Sequence, residues 1–159
     1  MTEKDIQPGD LYWQAIEPIW DRISIYDGPT PFLKQIQCVQ PYLRNLFAAH
    51  WCQSEVYKGG LHQFFWNSTG VLAPEAVEGF LALGLTDCAV ILQEAMAVFG
   101  PTYSRERSER TEGLSLLLNE DTEEEVLFKA LDVRFFAAIG LGCDRFCQAA
   151  DAYTRSAAR

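Results

Sequence analysis

Histidine is scarce and basic residues are few. His50 and His62 are the only two histidines, and 13 Lys and Arg stand against 22 Asp and Glu, a formal net charge of −9. That balance argues against direct binding to nucleic acid or to an anionic membrane, whose phosphates call for lysine and arginine. It suits a basic protein surface instead. No apolar run approaches the ~20 residues that a membrane-spanning helix needs. The opening MTEKDIQPGD is polar and charged, without the apolar centre of a secretory signal. The five cysteines, Cys38, Cys52, Cys88, Cys143 and Cys147, are odd in number and irregularly spaced, which reads as reduced thiols. Both features predict a cytoplasmic protein. Strand-like alternation, internal repeats and linker-like stretches are also missing. What is abundant is apolar and aromatic residues, 48% and 13% of 159, enough for a sizeable core. The expectation is one all-α domain over residues 1–159, a helical bundle around a buried central helix.

The helices can be placed from apolar periodicity. From Asp10 to about Tyr26, the residues Tyr12, Trp13, Ile16, Ile19, Trp20 and Ile23 share one face. Asp10, Glu17 and Asp21 lie opposite; Asp10 is a candidate N-cap and Pro18 predicts a kink or break. DGPTP at 27–31 is a turn, and a second helix starts near Thr30. Pro41 suits the first turn of the next. From Gln40 to Tyr57 apolar residues surround the helix, the mark of a buried element. Pro74 opens a helix that ends near Gly84, and Thr86 or Asp87 caps another that ends at Gly100-Pro101. After the charged stretch 102–113, Asp121 or Thr122 caps a helix with glutamates in its first turn. A last helix runs from about Cys143.

The stretch Glu55–Gly70, EVYKGGLHQFFWNSTG, joins these parts. Gly59-Gly60 predicts a helix stop with φ > 0 at one of the two, and Asn67 tolerates the left-handed region. The glycine pair lacks the Lys-Ser and preceding strand of a phosphate loop. Glu55 follows an apolar helix and needs partners; Gln63 and Asn67 are near enough to tie the bend to the helix end. Either histidine could in principle act as a base, with Cys52 or Glu55 beside it, but the spacing matches no nucleophile motif. Packed, hydrogen-bonded histidines are the expected reading. Cys143 and Cys147 share a helix face without a second ligand pair of zinc-like spacing. No metal and no cofactor is expected.

Acidic residues are the remaining signal. Glu75/Glu78 and Glu106/Glu109/Glu112 recur at i, i+3, with Arg105, Arg107 and Arg110 interspersed among the second set, and Glu120, Asp121, Glu123, Glu124 and Glu125 form a dense cluster. Composition alone reads them as a solvated surface.

The residues Glu55, Val56, Gly59, Gly60, Gln63, Phe64, Phe65, Asn67, Ser68 and Gly70 follow a pattern that resembles a bacterial DNA-mimic protein family of small acidic all-helical domains. Lys58 stands where that family more often has Asn. The resemblance continues through Ala73–Phe80, FGPTYSRERSER at 99–110 and LDVRFF at 131–136, most of the chain after about residue 30. It implies an acidic dimeric protein, not an enzyme, that occupies the DNA-binding surface of a helix-turn-helix transcription factor. The partner-binding face would be Glu120, Asp121, Glu123, Glu124 and Glu125, or else Asp10, Glu17 and Asp21. Glu55, Gly59, Gly60, His62, Gln63, Asn67 and Gly70 would then be structural. The alternative is a small cytosolic enzyme or ligand-binding domain built around Glu55, His62, Gln63 and Asn67.

Overall fold

The computed structural model describes residues 5–119 and 121–159; Glu120 of the acidic cluster lies outside the described residues. It is all-α, with eight helices and no strand among the described residues. They are α1 (Asp10–Ile16), α2 (Pro29–Ile36), α3 (Pro41–Trp66), α4 (Ala73–Ala82), α5 (Thr86–Ala97), α6 (Arg107–Leu117), α7 (Glu123–Ile139) and α8 (Asp144–Ala157). One apolar core takes side chains from all eight, from Tyr12 and Phe32 to Leu114, Phe135 and Phe146. No described helix is long and apolar enough to cross a membrane.

Helix α3 is the central element and packs against α1, α4, α6, α7 and α8. Its first part buries Leu46, Phe47, Ala48, Ala49, Cys52 and Val56, as a helix apolar all round must. Helix α4 crosses it closely: a Cβ on Gly79 would lie 2.5 Å from the Asn45 carbonyl oxygen.

Local chemistry shifts several boundaries. Pro18 ends α1 early, and the chain continues as a 3-10 turn over Glu17–Arg22, because proline offers no N–H and crowds the preceding turn. Asp10 is not the cap of α1. Gly9 holds that position at φ 100, and the Asp10 carboxylate instead accepts from the Gln7 N–H at 2.8 Å. Neither Thr86 nor Asp87 caps α5, whose flanking residue is Leu85. Thr122 does cap α7, its hydroxyl accepting from the Glu125 N–H at 3.2 Å.

The largest departure is at Gly59-Gly60. The glycines do not stop α3. Gly60 alone leaves helical geometry, at φ 77 and ψ 179, and the helix resumes through Phe64 and Phe65 to Trp66. A break of one residue frees the Leu61 N–H, and Asp132 of α7 accepts it at 2.8 Å. With that donor satisfied, the chain starts a new helical segment instead of a loop. Asn67 ends the segment in extended geometry at φ −81, not in the left-handed region, and a 3-10 turn, Ser68–Leu72, leads into α4.

Candidate functional site

The end of α3 and the segment before α6 form one polar seam. Glu55 Oε1 accepts from Gln63 Nε2 at 2.9 Å and from Asn67 Nδ2 at 2.6 Å. This links the two parts of α3 across the Gly60 kink. Asn67 then passes the connection on, its carbonyl accepting from Arg110 Nη2 at 3.0 Å. Arg110 is 1% exposed. Its Nε donates to the Phe65 carbonyl at 3.0 Å and its Nη1 to that of Arg105. Arg107 Nε donates to the Trp66 carbonyl at 2.9 Å. Two guanidinium groups thus satisfy the last carbonyls of α3, where the helix dipole favours positive charge. Among the described residues no carboxylate forms an ion pair with Arg110, and burial draws its pKa below the ordinary arginine value. Gly70 is required by space: a Cβ there would lie 2.5 Å from Arg110 Nε. The Tyr103 hydroxyl donates to the Gly70 carbonyl at 2.6 Å, and Arg105 bridges the Val71 carbonyl and Glu75, both at 2.8 Å. The segment 99–110 is therefore stitched along 65–75. Of the three arginines interspersed among Glu106, Glu109 and Glu112, Arg110 is buried and Arg105 is held by Glu75.

The two histidines differ. His50 is half-buried among the rings of Tyr12, Trp13 and Trp20, with the Tyr12 hydroxyl 3.2 Å from Nδ1. Burial, with Lys58 nearby, lowers its pKa to about 4. His62 is not the packed core histidine expected from its aromatic neighbours. It is exposed and stacks on Trp66, ring centroids 5.7 Å apart. The kink at Gly60 resets the helical phase, so His62 and Trp66, four residues apart, turn outward together. A Cβ on Gly60 would come within 2.6 Å of Asp132 Oδ2. Burial raises the Asp132 pKa, the Leu61 N–H opposes that shift, and more weakly Glu125 raises it and His62 lowers it. Glu55, Gln63 and Asn67 are brought together, then, while His62 stacks on Trp66. A cavity of about 190 Å³ is lined by Glu55 and Asn67 with Trp51, Tyr26, Ser68 and Arg107, among others, and without His62 or Gln63.

The acidic residues divide by environment. At the start of α7, Asp121 and Glu123 are exposed and Glu124 partly so, and none of them forms an ion pair among the described residues. Glu125 is held by Lys129 at 3.5 Å. On the other candidate face Glu17 and Asp21 are exposed but Asp10 is half-buried. Sequence reasoning missed Asp132, Asp151 and Arg110, whose roles depend on approach between distant helices. The 3.6-residue period marks which face is buried, and it carries no signal for a buried polar group that meets another helix's end.

Residues 38–156 match the family described as DMP19-like protein, well over half of the chain. No curated protein and no solved structure gives a match.

Proposed function

We take membership of the DMP19-like family, to which this chain belongs, as the premise, and propose that the protein is a non-enzymatic acidic binding protein that occupies the DNA-binding surface of a helix-turn-helix transcription factor in the cytoplasm. The observation that carries the reading is the start of α7, where Asp121 and Glu123 are exposed and Glu124 partly so, and none has a cationic partner among the described residues. Duplex DNA presents one negative charge per ~1.7 Å of axis. A protein that imitates it needs carboxylates that are close together and uncompensated, and here the helix dipole favours them in place. Glu17 and Asp21 offer a second, sparser face. Pairing of two copies, which the resemblance implies, would double the row. On the enzyme alternative, Glu55 Oε1 is engaged by two amides and His62 stands apart from it. That arrangement suits a structural tie better than a base with a substrate.

The test is competition. A helix-turn-helix protein of the same cell is bound to labelled operator DNA and titrated with this protein at low and high salt. Displacement that weakens as salt rises is expected. Neutralising Glu120, Asp121, Glu123, Glu124 and Glu125 to amides should weaken displacement by about tenfold, mainly through slower association. If the wild type displaces DNA from no such protein, the reading fails. If the neutralised variant displaces it equally well, the face is wrong and Glu17 and Asp21 are next.

A further inference from the structure

Helix α7 is apolar on two sides. Phe128, Leu131, Phe135 and Ile139 are buried in the core. On the other side Val126, Ala130, Val133 and Ala137 follow one another at helical spacing, and all are exposed. Leu141, just beyond the helix, extends the line at 92% exposure, and Val133 is 70% exposed. A solvated helix face is ordinarily polar. Two cations beside the stripe are held within the chain, Lys129 by Glu125 and Arg134 by Glu94 at 2.9 Å. At its far end the stripe opens into a cleft of about 510 Å³ beside Tyr57 and Phe136, whose rings meet edge to face at 6.5 Å, with Asp144 and Arg145 also in its lining. At its near end stand the carboxylates of Asp121, Glu123 and Glu124, without an ion pair among the described residues. Over roughly 20 Å of helix the surface passes from acid, through a shallow apolar track, to a cleft of mixed apolar and charged lining.

We infer that this outer face of α7 is a docking groove for an amphipathic helix of the DNA-binding partner. That helix carries lysine or arginine at the end lying over Glu123, small or medium apolar residues along the track, and one bulky apolar residue in the cleft beside Tyr57 and Phe136. The inference rests on the partner proposed above and states what that partner must present besides basic charge. Helix-in-groove recognition uses anchors at i, i+3 or i+4, and i+7, the spacing that α7 exposes. The two alanines let a second helix approach closely. The charge at the start of α7 selects a basic end and sets the direction of docking.

The probe is a fluorescein-labelled synthetic helical peptide of about four turns, with leucine at the stripe spacing, phenylalanine at one end and lysines at the other. A control peptide replaces the lysines with glutamates. Fluorescence anisotropy should show saturable binding of the lysine peptide, loss of binding for the control, and an affinity lowered about tenfold or more by Val133→Glu. Val133 is largely exposed, so a circular-dichroism melt should show the variant folded; Leu141→Glu serves as a second variant. Binding of the peptide equally to wild type and both variants, or to neither, overturns the groove. So does light scattering that finds a wild-type dimer split by Val133→Glu, which assigns the face to a second copy. The DNA-displacement assay separates the two readings. No displacement by wild type overturns the proposed function, whereas equal displacement by wild type and Val133→Glu overturns the groove alone.

Discussion

Two glycines and two distant aspartates do similar work, at the start of α1 and within α3. Gly9 at φ 100 begins α1, and Asp151 of α8 accepts the Gly9 N–H at 2.7 Å and the Tyr12 N–H at 3.0 Å. Gly60 at φ 77 begins the second part of α3, and Asp132 of α7 accepts the Leu61 N–H at 2.8 Å. In each case a positive-φ glycine turns backbone donors out of a helix, and a carboxylate from a helix later in the chain receives them. The environments differ. Asp151 is 4% exposed and holds two donors. Asp132 is half-buried, accepts from the Leu61 N–H, and has its pKa raised by burial. The first site fastens an outer helix to the core. The second lets the central helix change direction without ending, which carries Glu55, Gln63 and Asn67 to a common point.

The comparison can be broken first at Asp151. Asp151→Ala leaves two backbone donors at the α1 seat without an acceptor, and should lower stability by roughly 3–4 kcal/mol, as read by urea denaturation. An effect no larger than that of Asp132→Ala would remove the distinction drawn here.

Acid should separate the two sites next. His50 touches Tyr12 and Trp13 of α1, and its folded pKa of about 4 lies below the ordinary 6.5. The unfolded chain therefore takes up this proton first as pH falls. The stability tied to neutral His50 is whole above pH 6.5 and is lost progressively down to pH 4. The loss is about 2–3 kcal/mol. Asp132 runs the other way: its raised pKa makes its contribution greatest at low pH and smaller as pH rises through the folded value. Denaturation of wild type and His50→Leu across this range should show the acid loss in wild type only.

The smallest expected effect is at the kink. Gly60→Ala forces a Cβ into the left-handed region and against Asp132, at about 1–2 kcal/mol. A thermal melt of the variant unchanged within error would count against the strain assigned to this residue.

The all-α class, the buried central helix and the break at Pro18 were legible because they rest on local rules: apolar residues surrounding 40–57, and a proline that cannot continue a helix. Positive φ at one of Gly59-Gly60 was legible for the same reason. That the helix would continue past Gly60 was not, because continuation depends on Asp132 arriving from 71 residues away. Glu55 could be matched with Gln63 and Asn67 since all three lie within one stretch, whereas Arg110 read as one more surface charge among Glu106, Glu109 and Glu112. A guanidinium that caps backbone carbonyls leaves no pattern of partner carboxylates for sequence to show. The outward position of His62 followed from the reset of helical phase, which neighbouring aromatics do not report.

Asp151 also sets an order of events in synthesis. The donors of Gly9 and Tyr12 stand 142 and 139 residues before the carboxylate that receives them. While the chain is being made, α1 emerges early and has no native acceptor at its start until α8 has left the ribosome. Contacts of such sequence separation carry a large loop-closure entropy and close slowly. The face of α1 that meets α8, where Tyr12 packs edge to face on Phe146, is thus a part of the nascent protein that waits long for its native cover, and a place where a chaperone would find an apolar surface to hold.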